Sequence, residues 1–425
     1  MKKIKVLVLN DYAYIEGGAG RIAIDSSVRL VRDNNDIVFF SAVGPVCDEL
    51  KEAPFRKIIC LNQKDILSNP NKVDAMIKGI YNYSAIRELK KLFNEWKPDI
   101  VHIHGVSKAL SWATIKTIKS FNIPVVYTLH DFGLICPNMA IYDYRKDMLC
   151  NYYKKGNGVK CLIANCDKRN YSQKLWRWIR FLYNTRMLKI KNKIDGYIAV
   201  SDFVFDFFKD YLPKDTLFKI INNPIEYSAD DIEGQSKSKI ANPTVFLYGG
   251  RLSKEKGLDI LLEAVKELNV KLTIIGNGEL MPIAMQYAQN YGKDKIDILG
   301  WQNMETIAGQ MKKSSALVMP SRVFETSGMV VMEAARFYLP SIVSGCGGQT
   351  GFVKDDINGL YFKMGDVGSL KDVMEQFINK EGAREKLGSG ARKMLEKKGI
   401  KIDCHIKSLI EFYKEVVDNN RKLMK

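Results

Sequence analysis

Short apolar, β-branched runs alternate with longer amphipathic stretches along most of the 425-residue chain. Several of the short runs are apolar at consecutive positions, which is typical of parallel strands that helices cover on both faces. In the first half we predict strands at residues 4–10, 36–42, 57–61, 99–105, 124–131, 196–201 and 219–223. The helical pattern at 84–96 stops just before Pro98, as expected where a proline ends a helix. This half predicts a doubly wound α/β domain.

A polar segment at 227–243 interrupts the alternation, and we interpret it as a linker or hinge. The pattern then restarts, with strands predicted at 244–249, 271–276, 296–300, 316–320 and 341–344, and helices at 259–268 and from Ser327. We therefore predict an N-terminal Rossmann-like domain at 1–223 with an insertion at about 136–193, and a C-terminal one at 240–403. The final segment, 404–425, predicts a long helix that packs back onto the first domain. Two such domains facing each other would place the carboxyl ends of both sheets around one interdomain cleft, where such folds bind ligands.

The apolar run of the first predicted strand is too short for a secretory signal, and no run of about 20 apolar residues predicts a membrane span. We therefore expect a cytoplasmic protein. Its formal charge of +17 favours an anionic partner: nucleic acid, an anionic membrane or a phosphorylated ligand. Nine basic and no acidic residues lie at 168–193, mixed with aromatic residues. This stretch is either a solvated helix face or an interfacial segment on the inner face of the cell membrane. No nucleic-acid recognition motif accompanies the charge, so we predict no nucleic-acid partner.

Two glutamates eight positions apart, Glu325 and Glu333, flank the start of the helix predicted from Ser327. Backbone amides at a helix start bind anions, and carboxylates accept hydrogen bonds from sugar hydroxyls. This pattern therefore fits a diphosphate-linked sugar. Taken singly, each glutamate is explained as well by an ordinary surface acid. The predicted donor-binding residues here are Thr326, Ser327, Gly328, Met329, Val330 and Glu333.

This Glu-x7-Glu pattern resembles the signature of retaining glycosyltransferases of the GT-B fold, specifically glycosyltransferase family four, over nearly the whole chain. Residues 249–257 resemble the family's strand–loop motif, in which Arg251 and Lys256 would grip the donor diphosphate. An Arg fork and a mobile Lys charge suit phosphate oxygens and a departing nucleoside diphosphate. The resemblance also implies front-face substitution, with no protein nucleophile and no cofactor required for catalysis.

Further positions resemble the family more weakly. Gly276 matches a glycine turn beside the nucleotide base, and Gly17 and Gly18 open a helix near the donor phosphate. His130, followed by Asp131, resembles the family's His-Asp pair, and His130 would hydrogen-bond a donor hydroxyl.

His104 lies near the carboxyl end of its predicted strand, and we place it with Asp131 on the acceptor side. His102 has the same orientation along the strand, and a buried structural role is an alternative for it. The sequence departs from the family at Ser327, where a Phe is usual, and at Gln349, near the usual place of an acidic residue. Both departures leave the donor sugar open.

Four cysteines fall inside the predicted insertion: Cys136, Cys150, Cys161 and Cys166. Their spacing lacks a tight Cys-x2-Cys pair, so free thiols are the default expectation. A structural zinc site stays an alternative, because the resemblance includes members with cysteine-rich insertions at this place.

The sequence therefore predicts a glycosyltransferase that transfers a sugar from a nucleotide-sugar donor, expected to be UDP-linked, to a glycan or lipid-linked acceptor in surface polysaccharide synthesis. The alternative is a catalytically silent GT-B scaffold that binds glycans or partner proteins.

Overall fold

The computed structural model describes residues 3–66, 68–156, 158–228 and 244–423. Apart from its first two residues, the linker predicted at 227–243 lies outside this part of the chain. The chain divides into two compact units. The first domain comprises Met1–Arg145, Cys150–Pro224 and Ile402–Lys425, and the second comprises Lys146–Leu149 and Ile225–Lys401.

The first domain is built on a parallel sheet of seven strands in the order β3-β2-β1-β4-β5-β8-β9. Its central strands are buried on both faces, as their continuous apolar sequence requires. Each predicted strand overlaps an observed one. The strands up to residue 228 are β1 Lys5–Asn10, β2 Asp36–Ser41, β3 Lys57–Cys60, β4 Ile100–Gly105, β5 Val125–Leu129, β6 Tyr142–Asp143, β7 Met148–Leu149, β8 Gly196–Ala199 and β9 Leu217–Ile220.

Helices cover this sheet and fill the insertion. They are α1 Gly17–Arg32, α2 Asp48–Lys51, α3 Lys72–Ile80, α4 Tyr83–Glu95, α5 Thr114–Ser120, α6 Val159–Ile163, α7 Tyr171–Leu182 and α8 Asp202–Phe208. Asn82 caps α4 by accepting a hydrogen bond from the amide of Ala85, and Trp96 ends the helix two residues before Pro98.

The second domain repeats the design with a parallel six-stranded sheet in the order β12-β11-β10-β13-β14-β15. Its strands are β10 Thr244–Gly249, β11 Val270–Ile275, β12 Ile296–Gly300, β13 Ala316–Met319, β14 Ser341–Ser344 and β15 Gly359–Phe362. Its helices are α9 Leu258–Val265, α10 Met281–Tyr291, α11 Met304–Lys313, α12 Met329–Arg336, α13 Val367–Asn379 and α14 Ala383–Lys398. Two apolar clusters pack this domain.

Two details of the second domain differ from the sequence prediction. The helix predicted from Ser327 begins at Met329, and Gly328 precedes it as the capping residue in the left-handed conformation, with φ +70°. The edge strand β15 was not predicted, since its four residues follow a polar turn and give too short an apolar run.

The last helix, α15 Ile402–Leu423, packs in the core of the first domain, which confirms that the chain returns there. Its Tyr413 is fully buried, and the Tyr413 hydroxyl lies 2.6 Å from Nδ1 of His102 on β4. His405, on the first turns of the helix, bonds Oγ of Ser26 on α1 at 3.1 Å. The first domain is therefore completed by residues from the far end of the sequence.

Candidate functional site

The loop after β10 carries the two predicted phosphate-binding cations. The amide of Gly250 donates to the carbonyl of Ile275 (3.0 Å), and the amide of Leu252 donates to that of Asn277 (2.9 Å). These bonds tie the loops after β10 and β11 together at the carboxyl ends of their strands. Arg251 projects into solvent from this tied loop.

Gly257 allows the turn that carries Lys256 to lie against the end of β13. Its φ is +74°, and a Cβ at this position would overlap the carbonyl oxygen of Pro320, which follows β13. Only glycine therefore lets the short 3-10 turn Lys254–Lys256 lie against the end of β13. This close approach places Lys256 next to the loop that contains Glu325.

Lys256 and Glu325 form an ion pair, with Nζ 2.6 Å from Oε1. The hydroxyl of Ser321 donates to the same oxygen at 2.7 Å. Oε2 of Glu325 makes no hydrogen bond to the described residues. The carboxylate thus orients the lysine ammonium and keeps one oxygen available for a ligand.

Electrostatics keep Glu325 ionised. Burial raises the pKa of its carboxyl, but Lys256, the Ser321 hydroxyl and Arg251 together outweigh burial and bring the pKa below its ordinary value. The side chain is 15% exposed, so this charge lies in a largely desolvated place. At neutral pH the cluster therefore contains one carboxylate and two cations.

The loop that leads into α12 is held by two glycines. A Cβ at Gly348 would overlap the carbonyl of Thr326, and one at Gly347 would lie 2.8 Å from the amide nitrogen of Glu325. The amide of Gly348 donates to the carbonyl of Glu325 at 2.6 Å. These contacts fix the position of Glu325 ahead of the helix.

Two of the predicted donor-binding glycines, Gly328 and Gly276, lie close against other residues of the second domain. A Cβ at Gly328 would lie 3.1 Å from Cβ of Gln349, and one at Gly276 would overlap the carbonyl of Gly250. Packing within the domain thus requires both glycines, whatever their role towards a ligand. Gln349 itself is fully buried and donates to the carbonyl and hydroxyl oxygens of Ser344 (both 3.2 Å).

The remaining predicted donor residues of the second domain lie in α12 or in the loop directly before it. Thr326, Met329 and Val330 are partly exposed, whereas Ser327 is buried. Glu333 lies on the helix at its fifth residue and is partly exposed.

In the first domain, His104 and His130 lie side by side at the ends of β4 and β5. Nδ1 of His104 is 3.0 Å from Nε2 of His130, and the rings stack with centroids 5.3 Å apart. Burial, with a contribution from His405, lowers the pKa of His130 to about 3. Burial also holds the pKa of His104 well below its ordinary value. Both imidazoles are therefore neutral at physiological pH and able to donate and accept hydrogen bonds.

His102 has a structural position. Besides Tyr413, it bonds the hydroxyl of Thr128 on β5, 2.7 Å from its Nε2. Its ring centroid lies 4.0 Å from that of His104, so the two rings pack against each other.

Asp131 and Asp11 lie at the same end of the sheet. Burial raises the pKa of Asp131. The amide of Gly133 and the charges of Lys108 and Arg180 lower it, but they do not outweigh burial. Asp11 directly follows β1, and its carboxylate accepts the amides of residues 108, 109 and 110 at 2.7 to 2.9 Å. Sequence reasoning missed Asp11, although an acid immediately after a buried strand was a usable signal.

Gly17 and Gly18 form the exposed start of α1, with φ +71° at Gly17. No side chain among the described residues caps the first turn of this helix. A helix start without a side-chain cap is compatible with the predicted anion binding.

The four insertion cysteines are buried and free. The ammonium of Lys174 is itself fully buried and bonds the sulfurs of Cys161 (3.3 Å) and Cys166 (3.2 Å). Among the described residues, no group of three or more His, Cys, Asp or Glu side chains could hold a metal ion. The thiols, with a lysine between two of them, do not fit a preformed zinc site, and zinc binding stays a prediction.

The basic stretch at 168–193 differs from a uniformly solvated face. Lys174 and Arg180 point inward, and Arg180 is 7% exposed, with its guanidinium 4.4 Å from the ring centroid of Trp176. Arg177 pairs with the buried carboxylate of Asp167 at 3.3 Å. These three cations are therefore not the membrane contacts that the composition suggested. Among the helices described here, none combines the length and apolarity that crossing a bilayer would need.

The family model described as Glycosyltransferase Family 4 matches residues 16–228, half of the chain. The chain belongs to this glycosyltransferase family. A second model, Glycosyl transferases group 1, matches residues 230–394, which contain the Lys256–Glu325 pair. Family membership favours the enzyme over the silent scaffold.

Relatives of this glycosyltransferase are distant. An uncharacterised glycosyltransferase of Methanocaldococcus jannaschii is 32% identical over 36% of this chain and 43% of its own length. The UDP-Gal:alpha-D-GlcNAc-diphosphoundecaprenol alpha-1,3-galactosyltransferase of Escherichia coli is 23% identical over 83% of this chain and 82% of its own.

Among solved structures, HepE of Anabaena in complex with UDP and glucose matches with a TM-score of 0.67 and 18% identity, covering 97% of this glycosyltransferase and 99% of HepE. At this identity the match concerns the fold, and the predicted GT-B fold is confirmed.

Ser321 was not found from the sequence, because it gave no signal beyond its place after a strand. Lys256 and Glu325 were both predicted, but they were assigned separately to phosphate and sugar. Only the folded chain shows that these two form a pair.

Proposed function

We propose that this glycosyltransferase transfers a sugar from a UDP-linked donor to a glycan or lipid-linked acceptor in surface polysaccharide synthesis, with retention of configuration. The observation that carries the proposal is the cluster of Lys256, Glu325 and Ser321, with Arg251 exposed beside it. The names of two similar proteins, a UDP-Gal transferase and a UDP complex, support the choice of UDP.

Leaving-group stabilisation is assigned to Arg251 and Lys256. As the bond to the sugar breaks, negative charge grows on the departing diphosphate, and fixed cations lower the barrier most where water is scarce. Glu325 holds one N–H of the Lys256 ammonium, which leaves two for phosphate oxygens. Residues of the chain thereby supply the charge, so the proposal requires no cofactor for catalysis.

Sugar recognition is assigned to Oε2 of Glu325 and, by resemblance, to His130. A neutral imidazole paired with His104 has a fixed orientation, so it can hydrogen-bond a hydroxyl without adding charge. Glu333, His104 and Asp131 keep their predicted donor-side and acceptor-side roles as part of the same proposal.

Retention follows from front-face substitution, in which the departing phosphate oxygen accepts the proton of the acceptor hydroxyl. In this proposal Oε1 of Glu325 accepts two hydrogen bonds from the protein and Oε2 accepts one from a sugar hydroxyl, so neither oxygen is assigned as a nucleophile. Positioning and charge stabilisation then carry the catalysis.

A lipid-linked acceptor would place the reaction at a membrane, which we propose to be the cytoplasmic face of the cell membrane. The support is the diphosphoundecaprenol in the name of the Escherichia coli relative. Fractionation of cells into membrane and cytosol tests this location.

The donor is tested by thermal-shift and hydrolysis assays with UDP-, GDP- and ADP-sugars. We expect stabilisation by UDP-sugars, and loss of turnover in Arg251→Ala and Lys256→Ala variants that remain folded. Lys266→Ala is the matched control, because the Lys266 side chain is about as exposed as that of Lys256 and lies outside the cluster. Near-normal transfer by Lys256→Ala, or an inverted anomeric product by NMR, would contradict the proposal.

A further inference from the structure

Two contacting helices of the first domain present apolar side chains to solvent. On α3, Val73, Met76 and Ile77 are 67%, 46% and 54% exposed. They follow helical spacing and lie on one face, whereas the buried positions of this helix are the small Ala75 and Gly79. The helix is well formed, since Asn71 caps it through the amide of Asp74 at 3.0 Å.

Helix α7 has the same inverted arrangement. Tyr171, Leu175 and Ile179, at i, i+4 and i+8, are 41%, 38% and 46% exposed. Its buried positions include the charged Lys174 and Arg180. A helix that buries cations and exposes a continuous apolar stripe is the reverse of an ordinary surface helix.

The two helices form one surface because Trp176 joins them. The indole Nε1 of Trp176 donates to the carbonyl of Met76 at 3.3 Å, and a Cβ at Gly79 would lie 2.6 Å from the indole ring. We call the side chains Val73, Met76, Ile77, Tyr171, Leu175 and Ile179 the apolar face. Helix α6 contacts α7 and adds Val159 and Ile163, each more than two-thirds exposed.

Charge around the apolar face is positive. Lys72, Lys160, Lys168, Arg169 and Arg186 are exposed on the same helices or directly beside them. The acids of these segments are engaged: Asp74 pairs with Lys78, and Asp167 with Arg177. Apolar side chains within a rim of exposed cations match an anionic bilayer, where acyl chains lie beneath negative headgroups.

We propose that the apolar face formed by α3 and α7 docks this enzyme on an anionic lipid bilayer. The inference deepens the proposed function, since it depends on the membrane location proposed above and names the surface that achieves it. In this proposal the membrane contacts are the side chains of the apolar face, and not Arg177 and Arg180 of the basic stretch. Half of these side chains lie on α3, to which the sequence analysis assigned no role. Docking this surface would hold the first domain at the height of lipid headgroups.

Binding to vesicles tests the docking. The full chain is sedimented with vesicles of phosphatidylethanolamine and phosphatidylglycerol, and in parallel with phosphatidylcholine alone. We expect binding to the anionic vesicles and a loss of about tenfold or more in the triple variant Ile77→Gln, Leu175→Gln, Ile179→Gln. The matched control is Ile283→Gln with Met285→Gln on α10, which are 41% and 55% exposed and belong to the second domain.

The outcomes separate docking from catalysis. The replaced residues are exposed, so melting temperature and UDP affinity should stay unchanged, as should sugar transfer to a water-soluble acceptor. Equal vesicle binding by wild type and triple variant, or no binding by wild type, overturns the inference while leaving the transfer reaction intact. Concentration-dependent dimerisation that the triple variant abolishes, without vesicle binding, overturns it in favour of a second copy of the chain.

Discussion

Replacement of Lys256 by Met removes the cation from the Glu325 carboxylate and preserves most of the side-chain volume. The carboxylate then retains Ser321 as its hydrogen-bond donor in a largely desolvated position. We expect this variant to lose stability at neutral pH in addition to losing sugar transfer.

The magnitude follows from the geometry of the pair. At 2.6 Å and an effective dielectric constant of about 20, the attraction between unit charges is about 6 kcal/mol before desolvation and entropy are subtracted. Lys256 and Glu325 are 31% and 15% exposed, so the net value lies between those of a surface pair and a buried pair. We expect a loss of about 2 kcal/mol.

The sign of the pH dependence is fixed by Glu325. In the wild type its pKa is lowered on folding, so the pair stabilises above the unfolded pKa and this contribution disappears as the pH falls through the folded pKa. Without Lys256, burial raises the folded pKa instead, and protonation relieves the cost. The difference in stability between wild type and Lys256→Met should therefore be largest near neutral pH and shrink as the pH falls from the raised pKa of the variant towards the lowered pKa of the wild type.

Urea unfolding of both proteins at about pH 7.5 and pH 4 measures this difference. Glu325→Gln and the double variant complete a double-mutant cycle, in which we expect a coupling of about 1 kcal/mol or more. Lys266→Met is the control, because its ion pair with Glu263 is more exposed and its loss should change stability much less. A destabilisation independent of pH, or additive effects in the cycle, would refute the assigned role of the pair.

Three other changes test the fold around the site. Gly348→Ala should displace Thr326 and cost about 1–3 kcal/mol, with weaker UDP binding by calorimetry; unchanged affinity would show that the loop tolerates movement. Tyr413→Phe should cost about 1–2 kcal/mol in urea unfolding, because the buried His102 loses a partner, and a neutral result would mean that water replaces the hydroxyl. Since the pKa of His130 is about 3 when folded and near 6.5 when unfolded, this imidazole should contribute a fall in stability of about 1 kcal/mol per pH unit below pH 6.5. The stability of His130→Gln should therefore fall less steeply with decreasing pH than that of the wild type, and parallel profiles would contradict the neutral imidazole.

The sequence by itself determined the two parallel-sheet domains, because apolar runs and helical periodicity are local consequences of burial on one or two faces. It also identified Arg251, Lys256, Glu325 and His130 as candidates, since each directly follows a predicted strand or lies in a motif of fixed spacing. The glycines at 257, 347 and 348 are visible in the sequence, but the reason why these positions need glycine is not. Each contacts backbone that is distant in sequence, such as Pro320 or Thr326.

Only the tertiary structure decided which groups meet. The pairing of Lys256 with Glu325 spans 69 residues, and that of His102 with Tyr413 spans 311, so no local pattern contains either. The same holds for the basic stretch, whose charges the composition marked. The fold turns Lys174 towards Cys161 and Cys166 and Arg180 towards the carbonyl of Ser107, and it leaves Leu175 and Ile179 in solvent. A helix has one sequence and several faces, and its neighbours in the fold determine which face is buried.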